Sequence, residues 1–179
     1  NNNKKKIYLI SKYNLIEKQL KILKSNLKII KVKNLDEQIS SNKLKIIDLK
    51  MNFRNPFKVS EKSASDFIIK SLNLAHKLAL RKDVIGIINC PVNKKLLKKN
   101  KIGVTEYLAL KCKIRDNSEV MLIKSKKLAV SPITTHLDVR EISNNLNTRK
   151  IVNKVTTLNS WYKKQLRNKP KIAILGLNP

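Results

Sequence analysis

The sequence predicts an α/β layer fold with a largely parallel sheet, and three observations carry that prediction. Short Ile-rich runs alternate with amphipathic stretches long enough for helices. The run "DVIGIIN" (83–89) is apolar on both faces, as a strand buried inside a parallel sheet must be. With 179 residues, 41% of them hydrophobic, the chain is long enough for about one domain with a true core.

The elements follow in order. "KIYLIS" (6–11) reads as a strand, and "NLIEKQLKILKSN" (14–26) as a helix with Leu15, Ile16, Leu20 and Leu23 on one face. "LKIIKV" (27–32) and "LKIIDL" (44–49) are two further strands. An irregular piece with Pro56 precedes a long helix, "SEKSASDFIIKSLNLAHKLALRK". Ser63 and Asp66 suit a capping box there, and Phe67, Ile68, Leu72, Ala75 and Ala79 supply its buried stripe. The strand 83–89 leaves through Pro91, which stops a ladder, and "VNKKLLKKN" suggests a short helix. "GVTEYLALKCK" reads as a helix opened by Thr105. "EVMLIKSKKLAVSPI" (119–133) reads as two strands around a tight polar turn, which makes the sheet mixed. Thr148 can cap a helix whose Ile151, Val155, Leu158, Tyr162 and Leu166 share a face. Last, "PKIAILGLNP" places a fully apolar strand (172–175) before a glycine and a turn. Ligand groups in open α/β sheets sit just beyond the carboxyl ends of strands, so this ending leads us to expect a piece of a longer protein.

The net charge of +28 points first to nucleic acid. Three features weigh against it. Lysine far outnumbers arginine, the residue of bidentate base and phosphate contacts. Aromatics make up 4% of the chain, too few for a stacking platform. The lysines are scattered among Asn and Ile, as an AT-rich coding sequence would produce, which leaves attraction of small anions as the milder consequence. The start, "NNNKKKIYLIS", has no apolar core of a secretory signal, and no apolar run reaches the roughly 18 residues of a membrane span. Cys90 and Cys112 fit no metal or redox spacing and read as reduced thiols of a cytoplasmic protein.

Three positions could carry chemistry. Lys94 leaves the carboxyl end of a predicted strand in "CPVNKK", where it could meet a phosphate or carboxylate, although a solvated lysine at a helix start explains it too. Gly103 permits close backbone approach, and Thr105 can open a helix whose first amides favour anions; a plain helix cap accounts for both equally. His136 stands at the exit of an apolar strand in "TTHLD", where an imidazole is either a metal ligand or a hydrogen-bonded edge residue. The other histidine, His76, lies mid-helix and reads as structural or surface. With three glycines in the chain, neither a dinucleotide fingerprint nor a P-loop is present.

Taken in order, "CPVNK", "GVTEYLA", "PITTHLDVRE" and "PKIAILGLNP" resemble successive motifs of the 4-hydroxythreonine-4-phosphate dehydrogenase family, NAD-dependent enzymes of pyridoxal phosphate biosynthesis. The resemblance is clear from Asp83 to Pro179 and loose from Asn1 to Lys82, where only the order of strands and helices fits. It implies an isocitrate/isopropylmalate-dehydrogenase-like α/β fold, incomplete over 1–179, in a cytoplasmic homodimer with its active site in an interdomain cleft. It implies oxidation and decarboxylation of 4-phosphooxy-L-threonine with NAD and a divalent cation (zinc, magnesium or cobalt) held by three histidines. His136 matches one of those ligands; in the family the next follows "GLNP" directly and the third lies far downstream, so residues 1–179 alone are expected to be inactive. Thr105 matches the substrate-contacting threonine of Gly-His-Thr-Glu, and Lys94 the lysine of Gly-Pro-x-x-Lys. The chain departs from the pattern at Val104, where the family has histidine, at Asn89-Cys90, where it often has Thr-Gly or Ser-Gly, and in lacking the N-terminal Gly/Pro-rich segment. Val104 keeps a related enzyme of threonate or erythronate phosphate in view, with a basic nucleic-acid-binding module as the more distant alternative.

Overall fold

Three of the Ile-rich runs pair as strands in the computed structural model, which describes residues 6–37, 39, 42–97, 103–114, 118–135 and 137–176. The chain divides into two compact units, residues 1–108 and 109–179. In the first, β1 (Tyr8–Ser11), β2 (Ile29–Val32) and β3 (Leu44–Asp48) form a parallel sheet in the order β1-β3-β2. Ile47 stands opposite Ile10 and Val32, and Ile46 opposite Leu9, so apolar side chains line up across both faces. Ile46 is 0% exposed and Val32 and Ile47 are buried beside it; each such side chain contributes about 1.5–3 kcal/mol of transfer free energy.

Helix α1 (Tyr13–Ile22) follows β1 after one residue and buries Leu15, with Ile16 and Leu20 half-buried. Leu23, expected on the same stripe, is exposed because the helix has already ended. Its end is closed by the Ser25 amide on the Leu20 carbonyl (2.9 Å) and the Lys24 amide on that of Lys21 (3.2 Å). This puts Lys24 at φ 50°, a left-handed position usually given to glycine. Helix α2 (Glu61–Ala79) buries Leu72 and half-buries Phe67, Ile68, Ala75 and Ala79, as the spacing predicts. The capping box predicted at Ser63 and Asp66 is corrected: Ser60, three residues earlier, is the cap and accepts from the Ser63 amide at 3.4 Å. Of the short helix expected after Pro91, Lys94–Leu96 form a 3-10 turn, and residues 98–100 lie outside the described residues. Helix α3 (Val104–Lys111) starts one residue before Thr105, with the Gly103 carbonyl accepting from the Tyr107 amide at 3.0 Å; Thr105 therefore does not cap it.

In the second unit the predicted hairpin is present but short. β4 (Ile123–Lys124) and β5 (Ala129–Val130) pair antiparallel, and the Ser125 amide closes the turn on the Leu128 carbonyl at 2.8 Å. The pair forms a sheet of its own, so the expected mixed sheet is corrected to a parallel sheet and a separate antiparallel one. A 3-10 turn (Val139–Glu141) and α4 (Ile142–Asn145) lead to α5 (Thr148–Trp161), which ends in a π turn, Tyr162–Leu166. Asn147 rather than Thr148 caps α5, its side chain accepting from the Lys150 amide at 2.9 Å. Ile151, Val155, Leu158 and Tyr162 are half-buried as expected, and Leu166 is exposed.

Two predicted strands do not form. Residues 83–89 are irregular, with Ile85 78% and Ile88 89% exposed, and residues 172–175 are irregular with Leu175 88% exposed. An apolar run becomes a strand only where a neighbouring edge satisfies its backbone, and among the described residues no strand pairs with either. No described helix is long and apolar enough to cross a membrane.

Candidate substrate site

The carboxyl ends of the parallel strands carry a charged cluster. Asp48, the last residue of β3, is 12% exposed; its Oδ1 accepts from the Tyr13 amide at 2.8 Å. Its Oδ2 faces Lys31 Nζ at 2.8 Å and Lys12 Nζ at 3.5 Å. Lys12 makes no side-chain cap to α1, so a carboxylate from a neighbouring strand does that work. Burial pushes the Asp48 carboxyl up, but the Lys31 hydrogen bond, the Tyr13 amide and the charges of Lys12 and Lys31 outweigh it and hold the group below the usual carboxylate range.

Thr105 is the second residue of α3 and is exposed. The first-turn amides of α3 have no intrahelical acceptor, which makes this end attractive to an anion. The Glu106 side chain folds back over the helix start: a Cβ on Gly103 would lie 2.6 Å from its Oε2, the mobile end of a side chain that can move aside.

The Lys94 turn is held from two sides. Asn93 Oδ1 accepts from the Lys95 amide at 3.0 Å, and Ser65 Oγ, on α2, donates to the Leu96 carbonyl. Leu97 is buried directly after the turn. Helix α3 is tied to the same α2 helix, with the Tyr107 hydroxyl donating to Asn73 Oδ1 at 2.7 Å. The structure thus mounts the segments bearing Lys94 and Thr105 on one helix. The Lys94 side chain and the whole of His136 lie outside the described residues. Just past His136, the Asp138 side chain accepts from the Arg140 amide at 3.0 Å and pairs with the Arg140 guanidinium at 2.9 Å, which holds its carboxyl below the usual range. Among the described residues no three His, Cys, Asp or Glu side chains group to hold a metal ion. His76 is half-buried on α2, and its Nε2 is buried without a hydrogen-bond partner.

Sequence reasoning missed Ser65, Asn73, Tyr107 and Asp48. Asp48 left a signal, a lone acid ending an apolar strand; the others are polar residues on helices, and only their partners give them meaning.

Comparison with known proteins supplies the remaining evidence. The family described as "Pyridoxal phosphate biosynthetic protein PdxA" matches residues 3–179. A 4-hydroxythreonine-4-phosphate dehydrogenase of Sulfurihydrogenibium sp. (strain YO3AOP1) is 30% identical over 170 residues, which cover 92% of this chain and 51% of that protein. The D-threonate 4-phosphate dehydrogenase of Salmonella typhimurium is 33% identical over 119 residues, 65% of this chain and 36% of that one. The crystal structure of 4-hydroxythreonine-4-phosphate dehydrogenase from Klebsiella pneumoniae superposes with a TM-score of 0.84 at 23% identity, covering 96% of this chain and 55% of that chain, a likeness of fold. The chain therefore spans about half the length, or less, of the curated relatives it matches. With a match that runs from residue 3 to residue 179, this chain belongs to the PdxA family of pyridoxal phosphate biosynthetic proteins.

Proposed function

We propose that residues 1–179 are one part of a longer NAD-dependent dehydrogenase that oxidises 4-phosphooxy-L-threonine. The observation that supports this reading is the family match over 3–179, within which four motifs follow one another in the family's order. In the reaction the secondary alcohol loses a hydride from carbon to NAD and a proton from oxygen, leaving a β-keto acid that releases carbon dioxide. NAD, when bound, supplies the hydride acceptor. The proposed work of this chain is binding and orientation. The Thr105 hydroxyl and the first-turn amides of α3 hold an anionic or hydroxyl group of the substrate, and Lys94 adds positive charge at the start of its tethered turn. His136 is proposed as one ligand of a divalent cation. The described residues do not make a metal centre by themselves. The same reading includes an isocitrate/isopropylmalate-dehydrogenase-like fold, a homodimer and a cytoplasmic setting.

A second substrate has its own support. Val104 stands where the family has a histidine, and one relative is named a D-threonate 4-phosphate dehydrogenase. A substrate panel on the full-length protein decides between them, following NADH absorbance with 4-phosphooxy-L-threonine, threonate 4-phosphate and erythronate 4-phosphate. The first should give the highest kcat/KM. Replacing Thr105 with valine should raise KM for that substrate about tenfold, the loss of one hydrogen bond to a charged group. No NADH from any of the three would refute the proposal, and a higher kcat/KM for a phosphorylated sugar acid would move the assignment to the second reading.

A further inference from the structure

Helix α2 touches both segments proposed to meet substrate, and it does so through polar groups rather than apolar packing alone. Ser65 Oγ donates to the Leu96 carbonyl of the 3-10 turn that begins at Lys94. Eight residues further on, about 12 Å along the helix axis, Asn73 Oδ1 accepts from the Tyr107 hydroxyl of α3. Tyr107 lies two residues after Thr105, which on a helix is about 200° around the axis. Anchoring the tyrosine to α2 therefore turns Thr105 to the far side of α3, and Thr105 is exposed as that rotation requires while Tyr107 is half-buried. Neither Asn73 nor Tyr107 need touch a ligand to matter. Their hydrogen bond fixes the rotation of a helix only eight residues long, and so the direction of the Thr105 hydroxyl.

We propose that Asn73 and Tyr107 form a positioning pair for Thr105. The inference rests on the reading of Thr105 as a substrate contact. Removing the pair lets α3 rotate and misdirects the Thr105 hydroxyl, while the fold keeps its sheet and the body of α2.

The experiment uses the full-length protein and steady-state kinetics with 4-phosphooxy-L-threonine and NAD, beside thermal unfolding. Tyr107→Phe removes the donor and keeps the ring; Asn73→Leu removes the acceptor and keeps the size; Asn73→Asp keeps an acceptor oxygen. Tyr107→Phe and Asn73→Leu should each raise KM for the phosphorylated substrate about fivefold with KM for NAD unchanged, because a misdirected Thr105 hydroxyl loses part of its hydrogen bond to substrate. Asn73→Asp should restore the wild-type KM, and the double variant Asn73→Leu/Tyr107→Phe should be no worse than either single one. Two results overturn the inference: an unchanged KM in both single variants while Thr105→Val raises it, or a fall in Tm with kcat and both KM values moving together. If Thr105→Val also leaves KM unchanged, or the wild-type protein makes no NADH, the reading of the site fails and takes the pair with it.

Discussion

Asp48 offers the sharpest test of how the sheet holds its first helix. Replacing it with alanine strips the Tyr13 amide of its acceptor at 2.8 Å and leaves Lys12 and Lys31 facing each other without the carboxylate between them. An unsatisfied amide at a helix start costs about 1–2 kcal/mol. The ion pairs add less than a buried pair would, because the Lys31 side chain is 62% exposed and screened by water; about 0.5–1 kcal/mol is reasonable. Asp48→Ala should therefore destabilise by about 1.5–3 kcal/mol. Asp48→Asn keeps an acceptor oxygen for Tyr13 and loses the charge, so about 1 kcal/mol is expected. The pH dependence separates the two contributions. The folded Asp48 carboxyl lies below its ordinary value of 3.8, so its stabilisation is present above that value and fades as pH falls through the lowered one. Urea unfolding followed by far-UV circular dichroism should show wild type and Asp48→Asn well apart at pH 7 and converging below about pH 4. If Asp48→Ala costs under about 0.5 kcal/mol at pH 7, or the gap between wild type and Asp48→Asn persists unchanged at low pH, the capping account is wrong.

Two further substitutions probe the same framework by urea unfolding. Ile46, fully buried on the central strand, should cost about 2–5 kcal/mol as Ile46→Ala and about 0.5–1.5 kcal/mol as Ile46→Val, since truncation leaves a cavity that a paired strand cannot collapse. Lys24 and Lys113 hold left-handed backbone after α1 and α3, at φ 50° and 55°. Glycine there should stabilise by up to about 1 kcal/mol each, the strain relieved less the extra freedom of the unfolded chain; a measured loss would show that the lysine side chains contribute something the backbone does not reveal.

How much could be read in advance varies from element to element. The strands 6–11, 27–32 and 44–49 were recoverable because each carries enough Ile and Leu to demand burial, and the long helices because their apolar residues recur at helical spacing. Caps slipped by one to three residues, as at Ser60 and Asn147, because Ser, Thr and Asn abound near each helix start and only backbone geometry selects among them. The candidate site was legible as motifs, with Thr105, Lys94 and His136 recognisable by type and order. Their support was not, since a hydrogen bond such as Tyr107 to Asn73 joins residues 34 positions apart that leave no shared pattern in the chain.

The amino-acid order alone determined the α/β class, the positions of the main elements and the family, because hydrophobic period and local motif are properties of neighbours in sequence. The tertiary structure decided the rest: that β3 lies between β1 and β2, that Asp48 caps a helix 35 residues before it, and that the apolar runs 83–89 and 172–175 stay unpaired. Each of these depends on which backbone or side chain comes alongside another in space, and an apolar run announces its need for a partner without saying whether it will meet one.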